Sequence, residues 1–187
     1  MKHPLANIPS TSRKPLFWAF LAGTLILFAI FRVLDAPLQT SVAPSGVVSF
    51  ELAGTPSQAQ AIIDSWHAAG EPGADMVSRA YSFAVFGLGI DYLFMPLYAT
   101  ALALGILLAA GRHPGWFSAL GAWLGWGAYA AALFDAVENY ALVRMLILNE
   151  VWTPYPEIAA WCATLKFGLL VLGLVYALVG RIWPKRG

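Results

Sequence analysis

The sequence predicts an all-α integral membrane protein, with four transmembrane helices in an antiparallel bundle and a small extracytoplasmic segment between helices one and two. Composition is the first reason. The 187 residues are 59% hydrophobic and 11% charged, with a mean hydropathy of +0.68, whereas soluble domains average roughly 45–50% apolar and ~25% charged. The second reason is length: four stretches approach or exceed the ~20 mostly apolar residues that a helix needs to cross hydrocarbon. The third is that the spans carry isolated ionisable residues, among them Asp91, Asp135 and Lys166, as membrane helices do where they face one another.

One domain suits this length. Residues 1–15, with Pro4, Pro9 and Pro15, read as a flexible cytoplasmic tail. The first span follows at 16–34. It could be a cleaved signal peptide, since Ser41-Val42-Ala43 is a small-x-small site. Proline after the cut blocks cleavage, and Pro44 stands there, so an uncleaved anchor is expected.

Residues 35–80 form the extracytoplasmic segment. Val47-Val48-Ser49-Phe50-Glu51-Leu52 alternates enough to predict a short strand. Thr55 then reads as a helix N-cap with Pro56 at the first helical position. Ala59, Ile62, Ile63 and Trp66 give that helix one apolar face, and Gly70-Glu71-Pro72-Gly73 should end it. The face suits either a membrane surface or a cap over the bundle. His67 reads as a surface histidine. Asp75 should cap the helix that leads into the second span.

The second span covers 81–110, interrupted by Asp91. The third covers 116–148. The fourth covers 157–181, interrupted by Lys166, and 182–187 is a second cytoplasmic tail. Cationic residues orient the set. Lys2, Arg13, Lys14, Arg112, Arg181, Lys185 and Arg186 fall at the two termini and in the second–third turn, which the positive-inside rule makes cytoplasmic. Only Arg79 and Arg144 flank the opposite ends. A multi-pass protein of a bacterial-type inner (plasma) membrane follows, with both termini inside.

Small residues let helices approach in lipid, and their spacing predicts each inward face. The third span offers Gly121, Gly125, Ala128, Ala132, Asp135 and Asn139, with Glu138 beside them. The fourth offers Ala159, Cys162, Lys166, Leu169, Gly173, Tyr176 and Gly180. The second offers Ala84, Leu88, Asp91, Met95, Tyr98, Leu102, Gly105 and Ala109, and the first Leu21, Leu25, Phe28, Arg32 and Asp35. Counting ~1.5 Å per residue from the cytoplasmic ends puts Arg32, Asp35, Asp91, Asp135 and Glu138 at about 27–34 Å and Lys166 at about 22 Å. The lysine stem leans toward its helix N-terminus, which here points outward. The candidate network is therefore Arg32, Asp35, Asp91, Tyr98, Asp135, Glu138, Asn139 and Lys166, a charged layer in the outer half of the bundle. Its acids outnumber its bases, which favours protonation or a bound cation. Pro96, which leaves the Tyr92 carbonyl without its helical donor, adds a kink or break beside Asp91.

The layout loosely resembles EXPERA-type proteins, which bind or isomerise sterol-like lipids in four-helix bundles. The shared elements are four spans, cytoplasmic termini, a long first outer loop, Asp35 closing the first helix, and Asp91 followed by Pro96. No acid–histidine set accompanies them, so the resemblance implies a lipid-like ligand rather than isomerisation.

Several chemistries find no motif. There is no basic cluster for nucleic acid, no disulfide pair, no histidine in a span for haem or zinc, and no serine-nucleophile, Walker or dinucleotide motif. No cofactor or metal is expected, although Asp91, Asp135 and Glu138 could form a carboxylate-only Mg²⁺ or Ca²⁺ site. Three functions stay open. The layer binds a small ligand, lipid headgroup or ion from the extracytoplasmic side, with transport as one use. It only fixes helix packing, in a structural or accessory subunit of a larger membrane complex or homo-oligomer. Or it serves a lipid-modifying enzyme using carboxylate acid/base chemistry.

Overall fold

The computed structural model describes residues 3–69 and 79–184, apart from the Ser10 side chain. The expected helix stop at Gly70–Gly73, the Asp75 cap, and the terminal cations Lys2, Lys185 and Arg186 lie outside the described residues. The regular structure of the described residues is all helical. Its helices are α1 (Ser10–Asp35), α2 (Val47–Glu51), α3 (Pro56–Ala68), α4 (Arg79–Ala110), α5 (Trp116–Ile147) and α6 (Tyr155–Ile182). Short 3-10 turns, Pro4–Asn7 and Ala36–Leu38, flank α1. Among the described residues four helices are long and apolar enough to cross a membrane, with α4 and α5 of 32 residues each. At ~1.5 Å per residue such helices exceed the ~30 Å of a hydrocarbon layer.

Two expectations about local structure are corrected. Residues 47–51 form a helical turn rather than a strand. The deciding contact is distant in sequence: Asp35 Oδ1 accepts the Val47 amide at 2.8 Å, capping α2 from the end of α1. Gly46 makes the approach possible, with φ +58°. The N-terminal segment is likewise packed rather than loose. Pro4–Asn7 forms a 3-10 turn with His3 as N-cap, and His3 is buried.

The chain divides into two compact units. One comprises Leu27–Leu93 and Phe134–Thr164. Its core gathers Phe50, Ala59, Ile62, Ile63 and Trp66 with Ala84 and Leu88 of α4, Leu142 and Met145 of α5, and Ala159 of α6. The α3 helix starts as its sequence predicts, Thr55 accepting the Gln58 amide at 3.3 Å with Pro56 next. Its apolar face is packed against protein, which favours a cap over a surface-lying helix. Trp66 Nε1 donates to the Leu38 carbonyl at 2.8 Å, and its ring meets Phe50 at 5.3 Å. His67 is exposed and stacked on Tyr81 at 4.5 Å, as a surface histidine should be. Arg144 and Glu150 form a half-buried ion pair that ties the end of α5 to the following turn.

The other unit comprises Met1–Ile26, Phe94–Leu133 and Leu165–Gly187. Ile106, Ala109, Ala110, Phe117 and Tyr176 form its core. Tyr176 donates its hydroxyl to the Phe117 carbonyl at 2.6 Å, and the two rings stack at 4.3 Å. His113 bonds the Gly180 carbonyl at 3.1 Å. Close approach explains the small residues here. A methyl at Gly121 would lie 2.6 Å from Ala110 Cβ and overlap the Tyr176 hydroxyl.

Candidate functional site

Helix α4 presents the face its spacing predicts: Ala84, Leu88, Met95, Tyr98 and Ala109 are buried and Asp91 is half-buried. Helix α5 does the same with Gly121, Gly125, Ala128, Asp135 and Asn139. Three polar side chains of α5 are withdrawn from solvent, Asp135 with 4% exposure, Glu138 with 1% and Asn139 with 2%. Residues three or four apart on a helix are neighbours on its surface, so these three share a single helical turn.

One bond fixes that turn against α4. Asn139 Nδ2 donates to the Leu88 carbonyl at 2.9 Å. Leu88 lies three residues before Asp91, so the Asp91 turn of α4 stands beside the acid-bearing turn of α5. Within this unit the structure therefore brings Asp91, Asp135, Glu138 and Asn139 into adjacent turns of two helices. The α4 helix runs through Pro96 without ending, so the predicted break does not occur; Gly87 and Gly89 also sit inside it. Among the described residues no three His, Cys, Asp or Glu side chains are grouped closely enough to hold a metal ion. The carboxylate-only Mg²⁺ or Ca²⁺ reading therefore loses its geometric basis.

Asp35 is half-buried at the end of α1, as expected. Its carboxylate is engaged locally, with Oδ1 on the Val47 amide and Oδ2 accepting from Gln39 at 3.3 Å. Its role in the structure is that of a loop anchor. Arg32 is exposed. The stripe read for α1 is corrected accordingly: Leu25 and Phe28 are 57% and 55% exposed, while Leu27 and Leu34 are buried.

Lys166 and Tyr98 belong to the other compact unit. Lys166 is 5% exposed on the predicted face of α6 and its amine lies 5.0 Å from the Phe167 ring centroid. It is the one buried lysine or arginine among the described residues. Tyr98 is buried with its ring 5.2 Å from Phe94. Cys162 is buried and unbridged, as a small packing residue would be.

Two buried groups escaped the sequence reading: His3 and His113, with 1% and 9% exposure. Both lie outside the spans, in segments where spacing carries no information about burial. Comparison with protein-family models, with curated proteins and with solved structures returned no match. The likeness to EXPERA-type proteins thus rests on layout alone.

Proposed function

We propose that the chain is a multi-pass inner-membrane protein, with antiparallel spans and both termini cytoplasmic. We further propose that the cluster Asp91, Asp135, Glu138 and Asn139 binds a small ligand, lipid headgroup or ion from the extracytoplasmic side. One observation carries this reading. Two carboxyl groups and an amide are almost fully buried in a single turn of a helix apolar enough to span a membrane. Ionisable groups at such depth are costly and mark functional sites by default.

The charge balance supports a cationic or proton-bearing partner. Buried carboxylates need a neighbouring positive charge or a proton, and this turn groups two of them, Asp135 and Glu138. Lacking a three-ligand metal geometry, the cluster better suits a monovalent cation or the ammonium of a headgroup. Transport is one use of such a site.

A second reading has its own support. The Asn139–Leu88 bond is an interhelical polar contact of the kind that fixes packing in bilayers. On that reading the chain is a structural or accessory subunit, and the acids serve registration.

Native mass spectrometry of protein released from its own membrane separates the two. The binding reading predicts an adduct of defined mass on the wild type that D135N and E138Q lose while remaining folded. A bare chain, or adducts retained by both variants, contradicts it and leaves the packing role.

A further inference from the structure

The two compact units differ sharply in charge. All ten carboxylates of the chain fall within Leu27–Leu93 and Phe134–Thr164. The unit made of Met1–Ile26, Phe94–Leu133 and Leu165–Gly187 holds none, yet it carries eight of the eleven lysines and arginines. Eight cations and no acid give it a formal charge of +8.

Of these, Lys166 is buried within α6. The other seven come from three places in sequence: the chain up to the first turns of α1, the α4–α5 turn, and the end of α6 with the residues after it. Contacts inside the unit bring those places to one end. His113 of the turn bonds the Gly180 carbonyl of α6 at 3.1 Å, and a methyl on Gly180 would lie 2.9 Å from Ala109 Cβ and from the Phe117 ring. Arg13 of α1 borders the same hollow as Gly111 and Pro114 of the turn. Among the described residues Lys14 and Arg181 are exposed here, and Arg13 and Arg112 are half-buried. With no carboxylate in the unit, their counter-charge comes from elsewhere.

Each of the three places also carries an exposed tryptophan. Trp18 follows Lys14 by one turn, Trp116 follows Arg112 by four residues, and Trp183 follows Arg181 by two. An indole with an apolar body and one polar N–H settles at the headgroup level of a bilayer. Cation and indole thus recur together on three separate elements, at the ends of helices apolar enough to span a membrane. Nucleic acid or an acidic protein would supply negative charge without an apolar layer. A leaflet of anionic phospholipid supplies both.

We propose that this end of the unit binds anionic phospholipid headgroups. Lys14 and Arg181 are the exposed contacts to phosphate, and Trp18, Trp116 and Trp183 set their depth. The claim goes beyond residence in a bilayer, because it requires anionic lipid to be retained over uncharged lipid. Cations that served only to orient the chain during insertion would leave the folded protein without such a preference. The acid cluster on α4 and α5 plays no part in it.

The test is competitive native mass spectrometry on the full chain in neutral maltoside detergent. Phosphatidylglycerol and a glucosyl diacylglycerol of different acyl length are added in equal amounts; neither bears an ammonium, so the acid cluster does not bias the comparison. A cation beside an anionic surface is worth about fivefold in affinity, so wild type should retain phosphatidylglycerol over the glycolipid by about that factor. The preference should shrink as ammonium acetate is raised, since the Debye length is ~10 Å at 0.1 M and ~3 Å at 1 M. K14Q/R181Q should cut the preference at least twofold with an unchanged unfolding midpoint. R79Q, which removes an exposed cation from the other unit, should keep the wild-type ratio. Equal retention of the two lipids by wild type, a ratio insensitive to salt, or equal losses in R79Q and K14Q/R181Q would overturn the proposal.

Discussion

Asn139 on α5 holds the backbone of α4 at Leu88, with Nδ2 2.9 Å from the carbonyl oxygen. This contact places the acid-bearing turn of α5 beside the Asp91 turn of α4, so it positions whatever the acids do. N139L removes the donor while keeping the volume. Polar contacts between membrane helices average ~0.6 kcal/mol and reach ~1.7. Chemical unfolding of the purified protein in detergent should show a loss within that range.

Gly46 and Asp35 form a second two-residue device. The carboxylate caps Val47 at 2.8 Å, and any side chain at Gly46 would overlap that carboxylate. The positive φ of Gly46 disfavours L-residues by roughly 1–2 kcal/mol in addition. G46A should therefore destabilise by at least about 2 kcal/mol, whereas D35N keeps an acceptor oxygen and should cost well under 1 kcal/mol. Comparing their unfolding midpoints checks the order.

The helical glycines should divide by what surrounds them. G121A meets Ala110 and Tyr176, and overpacking of that kind costs about 1–3 kcal/mol. G168A meets nothing within 4 Å, so the higher helix propensity of alanine should make it neutral or stabilising, by up to about 1 kcal/mol. Equal behaviour of the two variants would contradict the packing described for α5 and α6.

Burial lowers the pKa of His3 below its ordinary value, with the Gly125 backbone opposing weakly. The unfolded chain then binds a proton more readily than the folded one as pH falls through about 6.5. Stability is full above that pH and declines below it. The wild-type unfolding midpoint should fall between pH 7 and 5, and H3N should flatten that decline.

Most of the inward faces were legible because two kinds of residue mark them. Small residues recur with helical spacing on α5 and α6, and polar interruptions such as Asp91, Asn139 and Lys166 fall on the same stripes; burial follows those stripes. On α1 the polar pair Arg32 and Asp35 marks a stripe that burial does not follow, and Leu27 and Leu34 are indistinguishable in sequence from Leu25 and Phe28. The α2 segment failed for another reason. Its conformation is set by Asp35, twelve residues earlier, and no local pattern records such a cap. The His3 insertion depends on the space above Gly125, a tertiary fact. Of the candidate site, Asp91 stands one turn from the α5 turn of Asp135, Glu138 and Asn139, Asp35 is a local anchor, Arg32 is exposed, and Tyr98 and Lys166 fall in the other unit.

The acid cluster is tested most directly by infrared difference spectroscopy on the protein in nanodiscs, adding ethanolamine-headgroup lipid to an otherwise zwitterion-free bilayer. The binding account predicts a change in carboxyl bands that D135N or E138Q removes. An unchanged carboxyl spectrum, with the same variants as stable as wild type, would contradict it.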